Sequence, residues 1–288
     1  MASDHSSMRL AAPGVRPARF KTALWYVVLT SLSIVILFPV YMTIVRALST
    51  PAAYFREGQP LYPVGIQWDI FQRAFTEGDL GRKLLLSLLV TLIIVTSQLV
   101  TSVAAAYAFT FLDFSGRRFL FFVFIATLML PLEVTLIPNV DTIRSLGWLN
   151  SVQGLVAPFL ATAFGTFLIR QGFMGIPREL RDAAQLDGFG HFAFLRRVAV
   201  PVTRPVIASF AVIAFLAAWN QYLWPRAVVT EGRWETIQIG LKSLAAARVE
   251  ESNIGLAAAI IAALPVLLLL IFLQKQLIRG LTAGAVKG

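Results

Sequence analysis

The sequence predicts an all-α, polytopic membrane protein with six transmembrane helices. Hydrophobic residues make up 57% of the 288 residues and charged residues only 14%, whereas soluble domains carry about 25% charged residues. A soluble fold of this size could not bury so much apolar surface. Six charge-free intervals and a one-sided distribution of Lys and Arg support the same class. The sequence lacks the short alternating segments that are typical of membrane barrels.

Each predicted span is a stretch without Asp, Glu, Lys or Arg. The intervals are 22–45, 84–112, 119–132, 145–169, 205–225 and 252–274. Five of them exceed the roughly 18–20 apolar residues that cross a bilayer. The third is short, but admitting Glu133 extends it to Val140. Pro131 and Pro138 flank Glu133 and predict a kink or an end in this helix.

The spans divide the chain into three predicted parts. Residues 1–21 are a polar, basic cytoplasmic lead, residues 22–274 form a six-helix transmembrane domain with a long loop at 170–204, and residues 275–288 are a cytoplasmic tail. The first span could be mistaken for a signal peptide. Its 24 uncharged residues are long for the apolar part of such a peptide, so an uncleaved helix is predicted.

The orientation follows from the bias of Lys and Arg toward the cytoplasm. With the N-terminus inside, the inner segments hold 15 of the 25 basic residues and only 5 of the 15 acidic ones, so they carry the whole net charge of +10. Both termini are therefore predicted to lie in the cytoplasm. The basic character is explained by topology in a lipid bilayer, and nucleic-acid binding is not predicted.

The motifs that mark catalytic or energy-coupling sites are missing. There is no Cys, and His5 and His191 alone cannot form a metal site. No phosphate-binding P-loop, H-E-x-x-H or G-x-S-x-G motif occurs. Glu133 is the only acid inside an apolar stretch, whereas ion-coupled transporters bury several charges. The chain is predicted to be neither an enzyme nor a cofactor binder, and to obtain energy from a partner.

The loop at 170–204 is organised as two short helices. Pro177 and Glu179 favour a helix start, and Gly188 favours its end. Small apolar residues predict one side on which another protein could approach closely. Arg196 and Arg197 lie on a second short helix. From the residues alone, the loop is either a docking element for a partner or an amphipathic hairpin on lipid headgroups.

This loop carries a resemblance. The segment Asp182-Ala-Ala-Gln-Leu-Asp-Gly188, followed by Pro201, resembles the EAA loop of ABC-importer permeases, with Asp182 where Glu is usual. The resemblance implies the type I ABC-importer permease fold, in which this loop is a coupling helix that docks on a cytoplasmic ATPase. The coupling residues that it implies are Glu179, Asp182, Ala183, Ala184, Asp187, Gly188 and Pro201.

Two further segments resemble sugar-type permeases. They are the Ala-Ala-Ala-Tyr-Ala-Phe sequence around Tyr107 and the last ten residues. The resemblance implies that Gly284 and Lys287 of the tail contact the ATPase, although a flexible Gly- and Ala-rich end would look similar. The combination of 127–134, 161–173 and 219–225 resembles the second permease subunit of glycerol-3-phosphate importers more than maltose or trehalose types.

Polar and aromatic residues inside the spans are the candidates for the substrate path. They are Asn220, Gln221, Tyr222, Trp224, Glu133 and Gln98. Amides can hydrogen-bond hydroxyl groups, and aromatic faces can pack on polyols or hold a cation. The alternatives are that Gln98, with Ser97, joins helices and that Trp224 belongs to an interfacial belt. The outer loop 49–82 is a candidate docking surface for a binding protein or a simple interfacial cap.

The resemblance also implies the partners. They are a homologous second permease subunit, an ATPase homodimer that carries the ATP and Mg, and an extracytoplasmic binding protein that delivers glycerol-3-phosphate or a glycerophosphodiester. An oligosaccharide importer of the same architecture is the alternative. A stand-alone channel or membrane scaffold is a more distant alternative, because neither would need the Asp182–Gly188 segment.

Overall fold

The regular secondary structure is entirely helical in residues 19–245 and 252–283, which the computed structural model describes. The α-helices are α1 (Arg19–Leu48), α2 (Pro51–Arg56), α3 (Ile70–Glu77), α4 (Leu80–Phe111), α5 (Arg117–Ala126), α6 (Leu132–Ser145), α7 (Val152–Val156), α8 (Ala163–Met174), α9 (Arg178–Leu186), α10 (His191–Phe194), α11 (Val200–Val202), α12 (Arg204–Trp219), α13 (Leu223–Val228), α14 (Ile237–Ala245) and α15 (Ser252–Ala283). A π-helical turn joins α10 to α11 at Leu195–Ala199.

The predicted all-α membrane fold is confirmed. Three helices, α1, α4 and α15, are long and apolar enough to cross a membrane by themselves. Three bent pairs bring the number to six if each pair is one span. The bends are 100° between α5 and α6, 47° between the α7 segment and α8, and 78° between the α10–α11 segment and α12.

Two of the predicted spans have different bounds in the structure. The fourth does not begin at Ser145, because α6 ends there and α7 begins at Val152. The turn between them contains Gly147 and Asn150 with positive φ, and it carries no charge that would mark it in the sequence. The helix of the fifth predicted span, α12, ends at Trp219 instead of continuing to residue 225, and a separate helix, α13, follows.

The third span and the chain ends also differ in detail from the predicted bounds. The chain bends next to Pro131, whereas Pro138 lies within α6. Helix α1 already begins at Arg19, and α15 continues through Ala283. Residues 1–18 of the predicted lead lie outside the described residues, and so do Gly284 and Lys287 of the tail.

Helix α4 is central to the packing, with α8 and α12 against it. Their closest approach is at Gly165, where an added Cβ would lie 2.2 Å from Phe210 Cζ and 2.5 Å from Ser102 Oγ. In lipid there is no hydrophobic force between helices, so close contact at small residues supplies much of the association. The missing side chain at Gly165 therefore lets the three helices meet.

The helix bundle has two ends, joined by α4. At one end, called the loop end, Tyr107 of α4 meets His191 of the 170–204 loop. At the other, called the opposite end, Lys83 Nζ lies 3.0 Å from Glu235 Oε2, and Asn253 Nδ2 donates to Gln67 Oε1 at 2.6 Å. At 1.5 Å per residue, Lys83 and Tyr107 are about 36 Å apart along the helix, enough to cross the apolar layer.

We expect Gly165→Ala to destabilise the protein by about 1–3 kcal/mol, because its methyl group overpacks the α4–α8–α12 contact. Gly172→Ala is the matched control on the same helix, since its Cβ would lie an ordinary 3.4 Å from Thr203 and Val206. Thermal unfolding in detergent measures both variants. Equal midpoints for the two would contradict the role of Gly165.

Candidate functional site

Helix α9 ends in a backbone motif that depends on a glycine. Gly188 has φ of +75°, a conformation that glycine adopts without a Cβ penalty. Its N–H donates to Gln185 O at 3.0 Å, and the N–H of Phe189 donates to Ala184 O at 2.9 Å. These two bonds are the Schellman pattern, which satisfies the last carbonyls of the helix and reverses the chain.

One side of α9 is anchored to the bundle. Ala184 is buried and belongs to the same apolar cluster as Phe194. The guanidinium of Arg181 lies 5.8 Å from the ring centre of Phe111. Next to this contact, Tyr107 Oη and His191 Nδ1 are 3.0 Å apart, which ties the loop to the end of α4.

The other side of α9 faces outward. Glu179, Asp182, Ala183 and Leu186 are exposed, and their spacing places them on one stripe of a helix. The exposed fraction of Leu186 is 89%. The apolar residues of this helix do not share one side as predicted, because Ala184 faces inward and Leu186 outward. Leu186 is thus an apolar side chain that is exposed beside the carboxylates of Glu179 and Asp182.

The remaining predicted coupling residues lie around the same loop. Asp187 and Gly188 are exposed at the end of α9, and Pro201 is exposed in α11 beyond the π-helical turn. Phe192 adds a second exposed apolar side chain, with 73% of its surface accessible. The loop thus presents Leu186, Phe192 and several carboxylates from a base that is fixed to α4.

The polar residues of α4 lie at the break between α7 and α8. Gln98 Nε2 donates to Phe159 O at 2.8 Å, and Ser97 Oγ donates to Leu160 O at 2.8 Å. These bonds fit the alternative in which Gln98 and Ser97 join helices.

Two other candidates for the substrate path are Trp224 and Glu133. Trp224 is buried, its Nε1 donates to Gly154 O at 3.1 Å, and its ring centre lies 5.8 Å from that of Phe159. This places Trp224 in the helix packing, away from an interfacial belt. Glu133 lies exposed in the first turn of α6.

Asn220, Gln221 and Tyr222 come together at the break between α12 and α13. Asn220 is exposed, and the buried Oε1 of Gln221 has no hydrogen-bond partner among the described residues. Gln238 of α14 donates to Trp219 O at 3.2 Å and lies 3.5 Å from Asn220 Oδ1.

Lys242 completes this polar group, with its Nζ 5.8 Å from the ring centre of Tyr222. Sequence reasoning missed Gln238 and Lys242, because α14 is not part of a charge-free interval. The available signal was an amide and an amine four residues apart in an otherwise apolar helix.

Comparisons with known proteins give a consistent result. Residues 98–283 match the family described as "Binding-protein-dependent transport system inner membrane component". The chain is 34% identical over 257 residues to the sn-glycerol-3-phosphate transport system permease protein UgpE of Brucella abortus (strain 2308), covering 86% of this chain and 91% of the relative. For the protein of that name from Pectobacterium atrosepticum, the identity is 34% over 254 residues, covering 85% and 90%.

Solved structures support the fold. A bacterial ABC transporter involved in the import of the acidic polysaccharide alginate matches with a TM-score of 0.78 and 22% identity, covering 92% of this chain and 99% of that one. A bacterial alginate ABC transporter in complex with alginate pentasaccharide-bound periplasmic protein matches with a TM-score of 0.63 and 15% identity, covering 88% and 93%.

We expect Tyr107→Phe to loosen the loop without unfolding the bundle, because it removes only the hydroxyl group that contacts His191. The loss should be roughly 0.5–1.5 kcal/mol of local stability, seen as faster amide hydrogen exchange in residues 190–194. Tyr41→Phe, which loses a 2.6 Å bond to Leu61 O at the opposite end, is the control. Unchanged exchange in 190–194 would show that the contact does not hold the loop.

Proposed function

The chain belongs to the family of binding-protein-dependent transport system inner membrane components, and we propose that it moves glycerol-3-phosphate or a glycerophosphodiester across the bacterial inner membrane. It is a permease subunit of an ABC importer of the sugar and glycerol-phosphate type. Relatives that share most of its length are named for sn-glycerol-3-phosphate transport, which supports the phosphorylated substrate class.

The energy source in this proposal is a separate ATPase homodimer that binds α9. The surface that carries the argument is the exposed stripe with Leu186, Glu179 and Asp182 on a helix fixed to the bundle by Ala184. The described residues hold no group of His, Cys, Asp and Glu that could bind a metal ion, and no P-loop occurs in the sequence. Because the sequence has no P-loop, we assign ATP and Mg to the partner.

The remaining partners follow from the same proposal. A homologous second permease subunit completes the path, and an extracytoplasmic binding protein delivers the substrate at the opposite end. The loop end, with both termini, faces the cytoplasm, which agrees with the excess of Lys and Arg in the inner segments. Gly284 and Lys287 of the tail are proposed to contact the ATPase.

The proposed mechanism is mechanical. When the ATPase subunits close on ATP, they move α9 together with α4, because the Arg181–Phe111 contact joins α9 to α4 and the Tyr107–His191 contact joins the following helix to it. The displacement tilts α4 and α8 relative to the second permease subunit. The path then changes from inward-facing to outward-facing without any chemical step on this chain.

The substrate is tested by purifying the tagged protein in mild detergent, identifying the subunits that accompany it, and titrating the binding protein with candidate ligands. We expect an ATPase and a binding protein that prefers glycerol-3-phosphate or a glycerophosphodiester over maltose and trehalose. A sugar-selective binding protein would keep the mechanism and overturn the substrate. A chain that conducts solute without an ATPase would overturn both.

We expect Gly188→Trp to reduce transport to background while membrane insertion stays normal. The indole would project from the end of α9, where a Cβ meets nothing within 4 Å, and would obstruct the ATPase. Gly116→Trp is the matched control, since Gly116 also has a positive φ and open space around its Cβ. It shares the backbone strain of about 1–2 kcal/mol but lies outside the loop.

Uptake by the reconstituted importer and recovery of each variant from membranes are the two measurements. Normal uptake by Gly188→Trp, or an equal loss in Gly116→Trp, would contradict the coupling role of this position.

A further inference from the structure

A cavity of about 390 Å³ lies at the opposite end of the bundle, between α1, α14 and α15. Arg46, Gln238 and Lys242 form its polar side, and Gly255 and Ala259 of α15 lie among its apolar residues. Because these two small residues are one helical turn apart, they leave room beside the helix. The volume is within the range of about 300–1,000 Å³ that is usual for small-molecule sites.

The described charged residues that line this cavity are both basic. Arg46 and Lys242 are both exposed, and neither forms an ion pair with a described carboxylate. Of the residues that the structure describes, none that lines the cavity is acidic. Two cations that border one cavity repel each other, and an anion between them relieves that repulsion. A phosphate group suits them, since arginine binds phosphate through two parallel N–H bonds.

The neutral side of the cavity offers hydrogen-bond acceptors. Gln238 lines the cavity and uses its Nε2 toward Trp219 O and Asn220 Oδ1, which leaves its own Oε1 to accept. The partnerless Oε1 of Gln221 lies at the same break between α12 and α13. Hydroxyl groups are donors to such oxygens. The cavity therefore combines two cations for an anionic group with the amide oxygen of Gln238 for a hydroxyl group.

We propose that this cavity is the first position in the membrane at which the permease holds its substrate, with Arg46 and Lys242 on the phosphate and Gln238 on the hydroxyl groups. The inference rests on the proposed function, because it requires a phosphorylated polyol. It adds the residues that would receive the anionic end after the binding protein releases it. The cavity lies at the opposite end of the bundle from the coupling loop, where substrate would arrive from outside.

The test uses the complete importer in proteoliposomes, with its binding protein saturated in turn with glycerol-3-phosphate and with glycerophosphocholine. The variants are Arg46→Gln and Lys242→Gln. Arg226→Gln is the matched control, because Arg226 also lies in the last turn of a helix, is exposed, and does not line the cavity. Lys242→Arg tests whether a positive charge alone restores transport.

Uptake of the two substrates distinguishes a binding role of Arg46 and Lys242 from a structural role. At pH 7 a phosphate monoester carries a charge of about −1.5 to −2, whereas a phosphodiester carries a single negative charge. Loss of one cation should lower monoester uptake by about tenfold, since a hydrogen bond to a charged group contributes at least that factor, and diester uptake by less. Lys242→Arg should transport normally, and Arg226→Gln should resemble the wild type.

Each of the other outcomes contradicts this inference. If the wild type transports both esters and the two variants match Arg226→Gln, the cavity is not a substrate site, while the proposed function stands. If both esters lose uptake by the same factor, the two residues are structural and the inference is overturned. If the wild-type importer transports only uncharged sugars, the proposed function fails, and this inference fails with it.

Discussion

The fold depends on how backbone carbonyl groups are satisfied where helices break inside the apolar layer. Water is absent there, so each carbonyl that loses its helical partner must find another donor. The break between α7 and α8 leaves the carbonyls of Phe159 and Leu160 without one. Gln98 and Ser97 of α4 donate to these two oxygens at 2.8 Å. This contact makes the bend possible and fixes α4 against the fourth span.

Pro158 and Trp224 illustrate the same constraint, that each backbone carbonyl needs a hydrogen-bond donor. Pro158 has no N–H, so it cannot donate to Gly154 O four residues earlier. Trp224 Nε1 takes that place at 3.1 Å, which explains why an aromatic residue that looked interfacial is buried. At the next break, Gln238 donates to Trp219 O at 3.2 Å. Several polar groups in the spans thus hold the backbone.

Helix α4 connects the two functional regions. Its end at Tyr107 meets the loop that carries α9, and its start at Lys83 meets Glu235 next to α14. Gly165 lets α8 and α12 pack closely on it between these points. A packed helix of this length transmits a displacement of one end to the other, and it is a physical element that both sites can bias. Energy from the loop end and substrate at the opposite end would act on the same helix.

The sequence by itself determined the membrane class and the number of spans, because apolar length and charge bias are local properties. It also determined where the first helix of the 170–204 loop ends, because the glycine at position 188 is a local signal. It also singled out the family through residues 182–188. Only the tertiary structure decided which polar residues are free. Gln98 and Trp224 are engaged with carbonyl groups of distant segments, whereas Arg46, Gln238 and Lys242 meet across α1 and α14. The physical reason is that hydrogen-bond partners and cavities depend on contacts between helices far apart in the chain, which local composition does not record.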